Sequence, residues 1–245
     1  FGYLLDRSRL KHYPKRENLP EEKSILKHLS LAARLKLALE ELGPTFVKFG
    51  QILSTRPDLI PPKFAQEFAK LCDEAPPFEF EKAEKIIREE LGGSISDFFL
   101  SFNKKPVAAA SLSQVHKAKL KSGEIVAVKI QRPQIQKVIK TDVSILTDLA
   151  TFLEKRFLTT QLYQPVEILK EFSRVINQEL DFVREGRNFD KFRLNFVDSE
   201  ICYVPKVFWD LTTQRILTME YIDGIKISEI EKLKDNGLGL KKIAS

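Results

Sequence analysis

Chemistry has few places to reside in this chain. Lys129 closes the apolar run Val126-Ala127-Val128, the acids Glu179, Asp181 and Glu185 follow downstream at helical spacing, and Lys48, Gln51 and Thr55 recur at i, i+3 and i+7 around Gly50. A lysine at a strand end is suited to neutralising phosphate, and a nearby carboxylate is suited to holding it there. Taken singly, each has a plainer reading. Most lysines that end an apolar strand snorkel to solvent, acids on a long amphipathic helix are solvated, and Lys48 with Gln51 makes a polar helix face. Ahead of Lys129, the run Pro106-Val107-Ala108-Ala109-Ala110-Ser111 is small enough to let a backbone approach a ligand, but alanine restricts positive φ. By periodicity alone it is an ordinary small-residue strand.

Composition removes several alternatives. With 43% hydrophobic and 30% charged residues over 245 positions, the chain has the apolar material for a core and is not a disordered segment. Its longest stretch without Asp, Glu, Lys or Arg runs only from Pro106 to His116, too short for a bilayer-spanning helix of roughly 20 apolar residues. Charges at Asp6, Arg7, Arg9 and Lys11 interrupt any signal-peptide core. Two cysteines, Cys72 and Cys202, make no disulfide framework, which points to a reducing compartment. Three histidines without CxxC or HxxxH spacing give zinc no ligand set, so no metal site is expected. The net charge is +6, with Arg7, Arg9, Lys11, Lys15 and Arg16 against Asp6 near the start. That cluster reads as a solvated arm or a patch for anionic lipid headgroups. Nucleic acid is not expected, because elsewhere Lys alternates with Glu without aromatic-basic stacking.

The elements that must position these residues divide near residue 95. Up to there the chain reads as helices separated by Pro and Gly. One carries Leu29, Leu31, Ala32, Leu35, Leu39 and Leu42, and Gly43-Pro44 starts a second over Thr45–Thr55. Arg56-Pro57 ends that helix, Pro61-Pro62 opens a third with Phe64, Phe68 and Leu71 on one face, and a fourth spans Glu79–Leu91 before Gly92-Gly93. From Ile95 the period becomes alternating. A hairpin is expected over Leu112–Ala118 and Ile125–Ile130 around Gly123. Two long helices follow, Gln134–Phe157 and Val166 to about Phe192, and then strands Ile201–Phe208 and Arg215–Met219 joined by a turn at Asp210–Thr213.

Three short antiparallel strands, an acid-bearing helix and two further strands resemble the order of a protein kinase small lobe, with one extra helix. In that order Val126-Ala127-Val128-Lys129 stands where the kinase VAIK lysine meets the α and β phosphates of ATP. The resemblance narrows with Ala108-Ala109-Ala110-Ser111, Gln114-Val115-His116, Gln131-Arg132-Pro133, Lys48 to Gln51 and Glu179-Leu180-Asp181. These are similar to the alanine-rich loop, KxGQ and ExD motifs of the UbiB-type atypical kinases, a family linked to ubiquinone and related prenyl-lipid metabolism. The fold class implied is α+β: a kinase-like small lobe with a five-stranded antiparallel sheet, an N-terminal all-helical extension, and no large lobe in this sequence. The boundaries expected are 1–94 for the extension, 95–224 for the small lobe and 225–245 for the start of a truncated large lobe.

The resemblance also implies roles. The helix bearing Lys48 and Gln51 would lie across the nucleotide site, and Gly50, which costs about 1 kcal/mol in a helix interior, would make a close contact with the kinase lobe. On a single helix at about 100° per residue, Asp181 and Glu185 share a face and Glu179 points away. The assignment is Glu185 to Lys129 and Glu179 to Lys48. Ala108, Ala109, Ala110, Ser111, Val115, Ala127 and Lys129 would surround ATP, with Met219 as gatekeeper and the backbone of Glu220 and Ile222 at the adenine edge. His116 is expected to be a packed strand residue rather than a base.

No HxD or DFG follows Gly224. With Phe1 rather than Met at the start, the expectation is a piece of a longer protein whose metal-binding Asp lies outside it, with ATP and Mg as ligands of the whole. Two readings follow: an ATPase or atypical kinase in prenyl-lipid quinone biosynthesis, or a regulatory pseudokinase that uses nucleotide only as a conformational ligand. The expected location is peripheral, at the cytoplasmic face of a membrane or in an organelle matrix or stroma, with possible contact to a membrane surface or prenyl lipid.

Overall fold

A computed structural model describes residues 29–72, 75–157, 165–199, 202–225, 227 and 229–238. Packing divides the chain into two units that part after Cys72. The basic run over residues 1–16 lies outside the described residues.

The first unit is built by its punctuation. Ser30 caps α1 (Leu31–Leu42), its Oγ accepting the Ala33 amide at 3.1 Å. Gly43, at φ 106°, turns the chain so that Pro44 opens α2 (Pro44–Ser54), and Pro62 opens α3 (Pro62–Phe68). Proline at the first helical position has no N–H to leave unsatisfied and a φ already suited to helix. The three helices pack on one another around Ala32, Leu53, Ala65, Phe68 and Leu71, all buried. Gly50 sits inside this packing: a Cβ there would lie 2.3 Å from Leu71 Cδ1 and 2.8 Å from Leu39 Cδ1. The close contact expected with the kinase lobe is therefore made within the helical unit itself.

The second unit begins with α4 (Phe80–Leu91), which ends at Gly92 in the left-handed conformation, φ 75°. A single turn, α5 (Ile95–Phe98), starts with the Ser94 amide donating to Asp97 Oδ2 at 2.7 Å. It leads into an antiparallel sheet of β1 (Phe99–Phe102), β2 (Ala108–Ala109), β3 (Ser113–Leu120), β4 (Ile125–Gln131) and β5 (Ile216–Glu220). The order is β1-β3-β4-β5, with β2 paired to β3. Because side chains alternate across a strand, register separates two faces. Ala118, Leu120, Val126, Val128, Ile130 and Ile216 join Ala83, Ile86 and Ile87 of α4 in one core. The opposite face carries Val115, Ala127, Lys129, Leu217 and Met219. Helix α4 thus belongs with the sheet. The change of period near residue 95, where the sequence suggested a boundary, falls inside the second unit.

Between β4 and β5 lie α6 (Ile135–Phe157), α7 (Pro165–Glu179) and α8 (Phe182–Asn195). Glu154 Oε1 accepts the Val166 amide at 3.0 Å, joining the end of α6 to the start of α7. The single helix expected from Val166 to about Phe192 is two. Asp181 leaves helical geometry at φ −96°, ψ 93°, and its Oδ1 accepts the Arg184 amide at 3.0 Å. An aspartate that caps N–H groups favours a new helix start over continuation. The strand expected at Ile201–Phe208 is also absent among its described residues. They make one isolated bridge, Val207 to Met219, before a 3₁₀ turn at Trp209–Leu211 replaces the expected turn at Asp210–Thr213. The Phe208 amide donates to the Thr218 carbonyl at 2.9 Å and the Glu220 amide to the Lys206 carbonyl at 2.8 Å, but the Lys206 amide turns to Glu220 Oε2 at 3.4 Å rather than extending the ladder. A short α9 (Ile230–Asp235) buries Leu233. No described helix is long and apolar enough to cross a membrane.

Candidate functional site

The site grows from the fifth residue of β4. Register sets Lys129 opposite Val115 on β3 and Leu217 on β5, on the face away from the α4 core. Its Nζ donates to both carboxylate oxygens of Glu185, each at 2.8 Å, and lies 4.7 Å from the centre of the Phe182 ring. The side chains retain 23% and 29% exposure, so the pair is sheltered but within reach of a solute. An ammonium held by two charge-assisted bonds and an aromatic face is fixed in direction.

Glu185 arrives there because α8 can approach the sheet closely. Phe182, at the first turn, is 1% exposed and packs with Val207 and Leu217. Gly186 follows Glu185, and a Cβ on it would meet Trp209 Cη2 at 3.0 Å and Leu217 Cδ1 and Val207 Cγ1 at 3.4 Å. Further along, Trp209 Nε1 donates to Asp190 Oδ2 at 2.8 Å, holding the helix to the segment before β5.

The alanine-rich run forms β2 and the turn after it. Ala108 pairs with Val115 and Ala109 with Gln114, and the Ala110 amide donates to the Ser113 carbonyl at 2.8 Å. None of these alanines takes a positive φ, and Ser111 is buried at 3%. Ala108 stands in the row that contains Val115 and Lys129, so the loop borders the lysine's face. Ala127, opposite Met219 and 8% exposed, keeps the centre of that face low.

At the end of β5 the Glu220 amide donates to the Lys206 carbonyl at 2.8 Å, while its Oε2 accepts the Tyr203 hydroxyl at 2.5 Å. This hydrogen bond pushes the Tyr203 hydroxyl above its ordinary pKa. The Glu220 amide is therefore engaged within the sheet's border, whereas Ile222 lies just beyond the last ladder bond, Tyr221 N to Ile125 O at 3.1 Å, with 47% exposure.

The structure brings together Lys129, Glu185, Val115, Ala127, Met219 and the alanine loop. It does not set Asp181 beside Glu185 on one helix; Asp181 is the cap of α8. Glu179 is the last residue of α7 and is half-buried. Lys48 and Gln51 belong to α2 of the first unit, where Gln51 Nε2 donates to the Leu71 carbonyl at 3.1 Å.

His116 is fully buried in a chain of bonds: its Nδ1 lies 2.8 Å from the Asn103 carbonyl and its Nε2 2.8 Å from Gln114 Nε2, while Gln114 Oε1 accepts the Phe78 amide at 2.9 Å. Both contacts are satisfied by a neutral ring protonated at Nδ1, and burial pushes its pKa down. Sequence reasoning missed Phe182, which is visible only once Asp181 is read as a cap. A glycine within a helical run, such as Gly186, reads from sequence alone as a weakness of the helix; only the packing shows it as a point of close approach.

Comparison with known proteins agrees with this architecture. The description "ABC1 atypical kinase-like domain" matches residues 70–245. The chain is 44% identical over 216 residues to a probable protein kinase UbiB of Pseudomonas putida and 45% identical to one of Pseudomonas paraeruginosa. In both cases the match covers 88% of this chain but 40% of the relative, so the chain spans under half the length of those proteins. Among solved structures it is similar to Rv3197 of Mycobacterium tuberculosis, determined as a complex with erythromycin, with a TM-score of 0.58 and 30% identity over 86% of this chain and 53% of that one. With a helical region followed by a five-stranded antiparallel sheet and its helices, the chain belongs to the UbiB-type, ABC1 atypical kinase-like family.

Proposed function

We propose that the second unit binds ATP as the small lobe of a UbiB-like atypical kinase or ATPase, and that the whole protein supports ubiquinone or related prenyl-lipid quinone biosynthesis. The observation that carries the reading is the Lys129–Glu185 pair, bonded at 2.8 Å to both carboxylate oxygens. The residues fit a nucleotide. The ammonium has three donors and is 23% exposed, so it remains open to a phosphate oxygen. Ala127 and Val115 add little bulk beside it, and the Ala108–Ser111 backbone borders the same face.

In this reading Lys129 meets the phosphates and Glu185 holds it. Ala108, Ala109, Ala110 and Ser111 approach them from the loop, while Val115, Ala127 and Met219 enclose the base. The backbone of Glu220 and Ile222 borders the adenine edge, the Glu220 amide being already engaged by the Lys206 carbonyl. Asp181 contributes by starting the helix that carries Glu185. Mg bound with the nucleotide would neutralise phosphate charge; among the described residues no group of three His, Cys, Asp or Glu side chains is arranged to hold it alone. The family resemblance adds Lys48, Gln51 and Glu179 to the catalytic set and a peripheral contact with a membrane surface or prenyl lipid.

Steady-state ATP hydrolysis by the full-length protein, alongside nucleotide-induced thermal stabilisation, tests this. Turnover that is lost in Lys129→Met and altered in Lys48→Ala supports the enzyme. Stabilisation without turnover supports a regulatory pseudokinase instead, and the absence of both overturns the assignment.

A further inference from the structure

The tripeptide Gln131-Arg132-Pro133 closes the lysine's strand. Gln131 is 1% exposed and on the same face of β4 as Lys129. Its Nε2 donates to the Leu180 carbonyl and, at 2.9 Å, to the Gln214 carbonyl. Leu180 is the last residue before the Asp181 cap, and the Gln214 carbonyl also accepts the Phe182 amide at 3.3 Å. One side-chain amide therefore ties the strand end to the start of the helix that brings Glu185.

Arg132 points its bonds the other way. Its amide donates to the Leu112 carbonyl at 2.9 Å, Nε to the Ala110 carbonyl at 2.8 Å and Nη2 to the Pro76 carbonyl at 2.7 Å. The guanidinium carbon lies 5.7 Å from the centre of the Phe78 ring. The Ala75 amide donates to the Ala109 carbonyl at 3.4 Å, and the Phe78 amide to Gln114 Oε1. The connector 75–78 and the alanine loop are laced into one assembly, with a planar five-donor group between them that lysine cannot imitate. Directly after Pro133, Gln134 takes φ 58°, a left-handed turn that starts α6 and leaves the tripeptide as a junction.

We propose that Gln131 and Arg132 are positioning residues that set both surroundings of Lys129 from the end of its own strand: Gln131 registers the helix bearing Glu185, and Arg132 registers the alanine loop together with the connector 75–78. The functional weight of this junction rests on the nucleotide reading, whereas its geometry does not.

Amide hydrogen exchange separates the two. In Arg132→Lys, exchange at the Ala75 and Phe78 amides, the two that flank Pro76-Pro77, and over 107–111 rises together, roughly three- to tenfold, the loss of one or two hydrogen bonds, while 182–188 is unchanged. In Gln131→Met the pattern reverses: 182–188 rises and the loop does not. A uniform rise across β3 and β4 in both variants, or a loop that loosens while the Ala75 and Phe78 amides stay protected, overturns the junction; the second of these outcomes is read from Arg132→Lys alone should Gln131→Met fail to fold. Titration with fluorescent ADP then completes the test. Weaker binding in Arg132→Lys, with Lys129 intact, supports the positioning role, and unchanged binding despite a loosened loop contradicts it. The crossed exchange pattern in the two variants, together with a wild-type chain that binds no nucleotide, upholds the junction and sinks the reading of Lys129.

Discussion

At the scale of single residues, the site is one cation with a designated partner. Lys129 directs two bonds at Glu185, so replacing either has a different consequence. Lys129→Met removes the charge that would meet phosphate, whereas Glu185→Gln leaves the charge and loosens its direction. Charge-assisted bonds are worth about 1.5–3 kcal/mol, so Lys129→Met should weaken nucleotide binding by roughly ten- to a hundredfold, and Glu185→Gln by less, as read by calorimetric titration. His116 gives a second residue-level expectation. Its burial lowers its pKa in the folded chain, so the unfolded chain takes up the proton first. The rings of Phe80 and Phe102 pack on it and no carboxylate joins its bonded chain. The stability from the neutral ring is complete above the ordinary histidine pKa of about 6.5 and declines as pH falls through and below it. Thermal melting from about pH 7.5 to 5.5 should show a slope that His116→Gln flattens.

At the scale of elements, the distance between α8 and the sheet decides whether Glu185 reaches Lys129. Gly186 marks the point of closest approach, with Trp209, Leu217 and Val207 3.0 to 3.4 Å from a hypothetical Cβ. Gly186→Val should overpack this contact, costing about 1–3 kcal/mol, and should weaken nucleotide binding although the ion pair itself is untouched. Denaturant unfolding and nucleotide titration of the same variant check both. The lysine strand and the hairpin were legible because strand alternation is a local signal, whereas the pairing of Lys129 with Glu185, 56 residues apart, rested on the family resemblance. The break at Leu180–Asp181 was not legible, because no Gly or Pro marks it and a capping aspartate looks like any other acid on an amphipathic helix. The strand expected before β5 shrinks to one bridge because the Lys206 amide meets the Glu220 side chain, a long-range contact that no local pattern announces. The partners of Gly50, Leu39 on α1 and Leu71 beyond α3, depend on tertiary packing that no period encodes.

At the scale of the molecule, packing and sequence period disagree about where the halves meet. Helix α4 looks like the last of four helices, yet Ala83 and Ile87 are 0% exposed and Ile86 3%, all inside the sheet's core. Ile87→Ala should therefore destabilise the sheet by about 2–5 kcal/mol and speed amide exchange in β3 and β4, while the helices of the first unit keep their protection. Equal loss of protection in α1 and α2 would contradict the division after Cys72. The match covers 40% of its curated relatives, and in the function proposed for it the second unit's contribution to the whole protein is grip on the nucleotide. The most direct measurement of that claim is titration of this chain with a fluorescent ADP analogue, wild type against Lys129→Met, with folding verified by circular dichroism. Saturable binding that falls at least tenfold in the variant is the result predicted; equal affinity in the two, or no binding by the wild type, would contradict it.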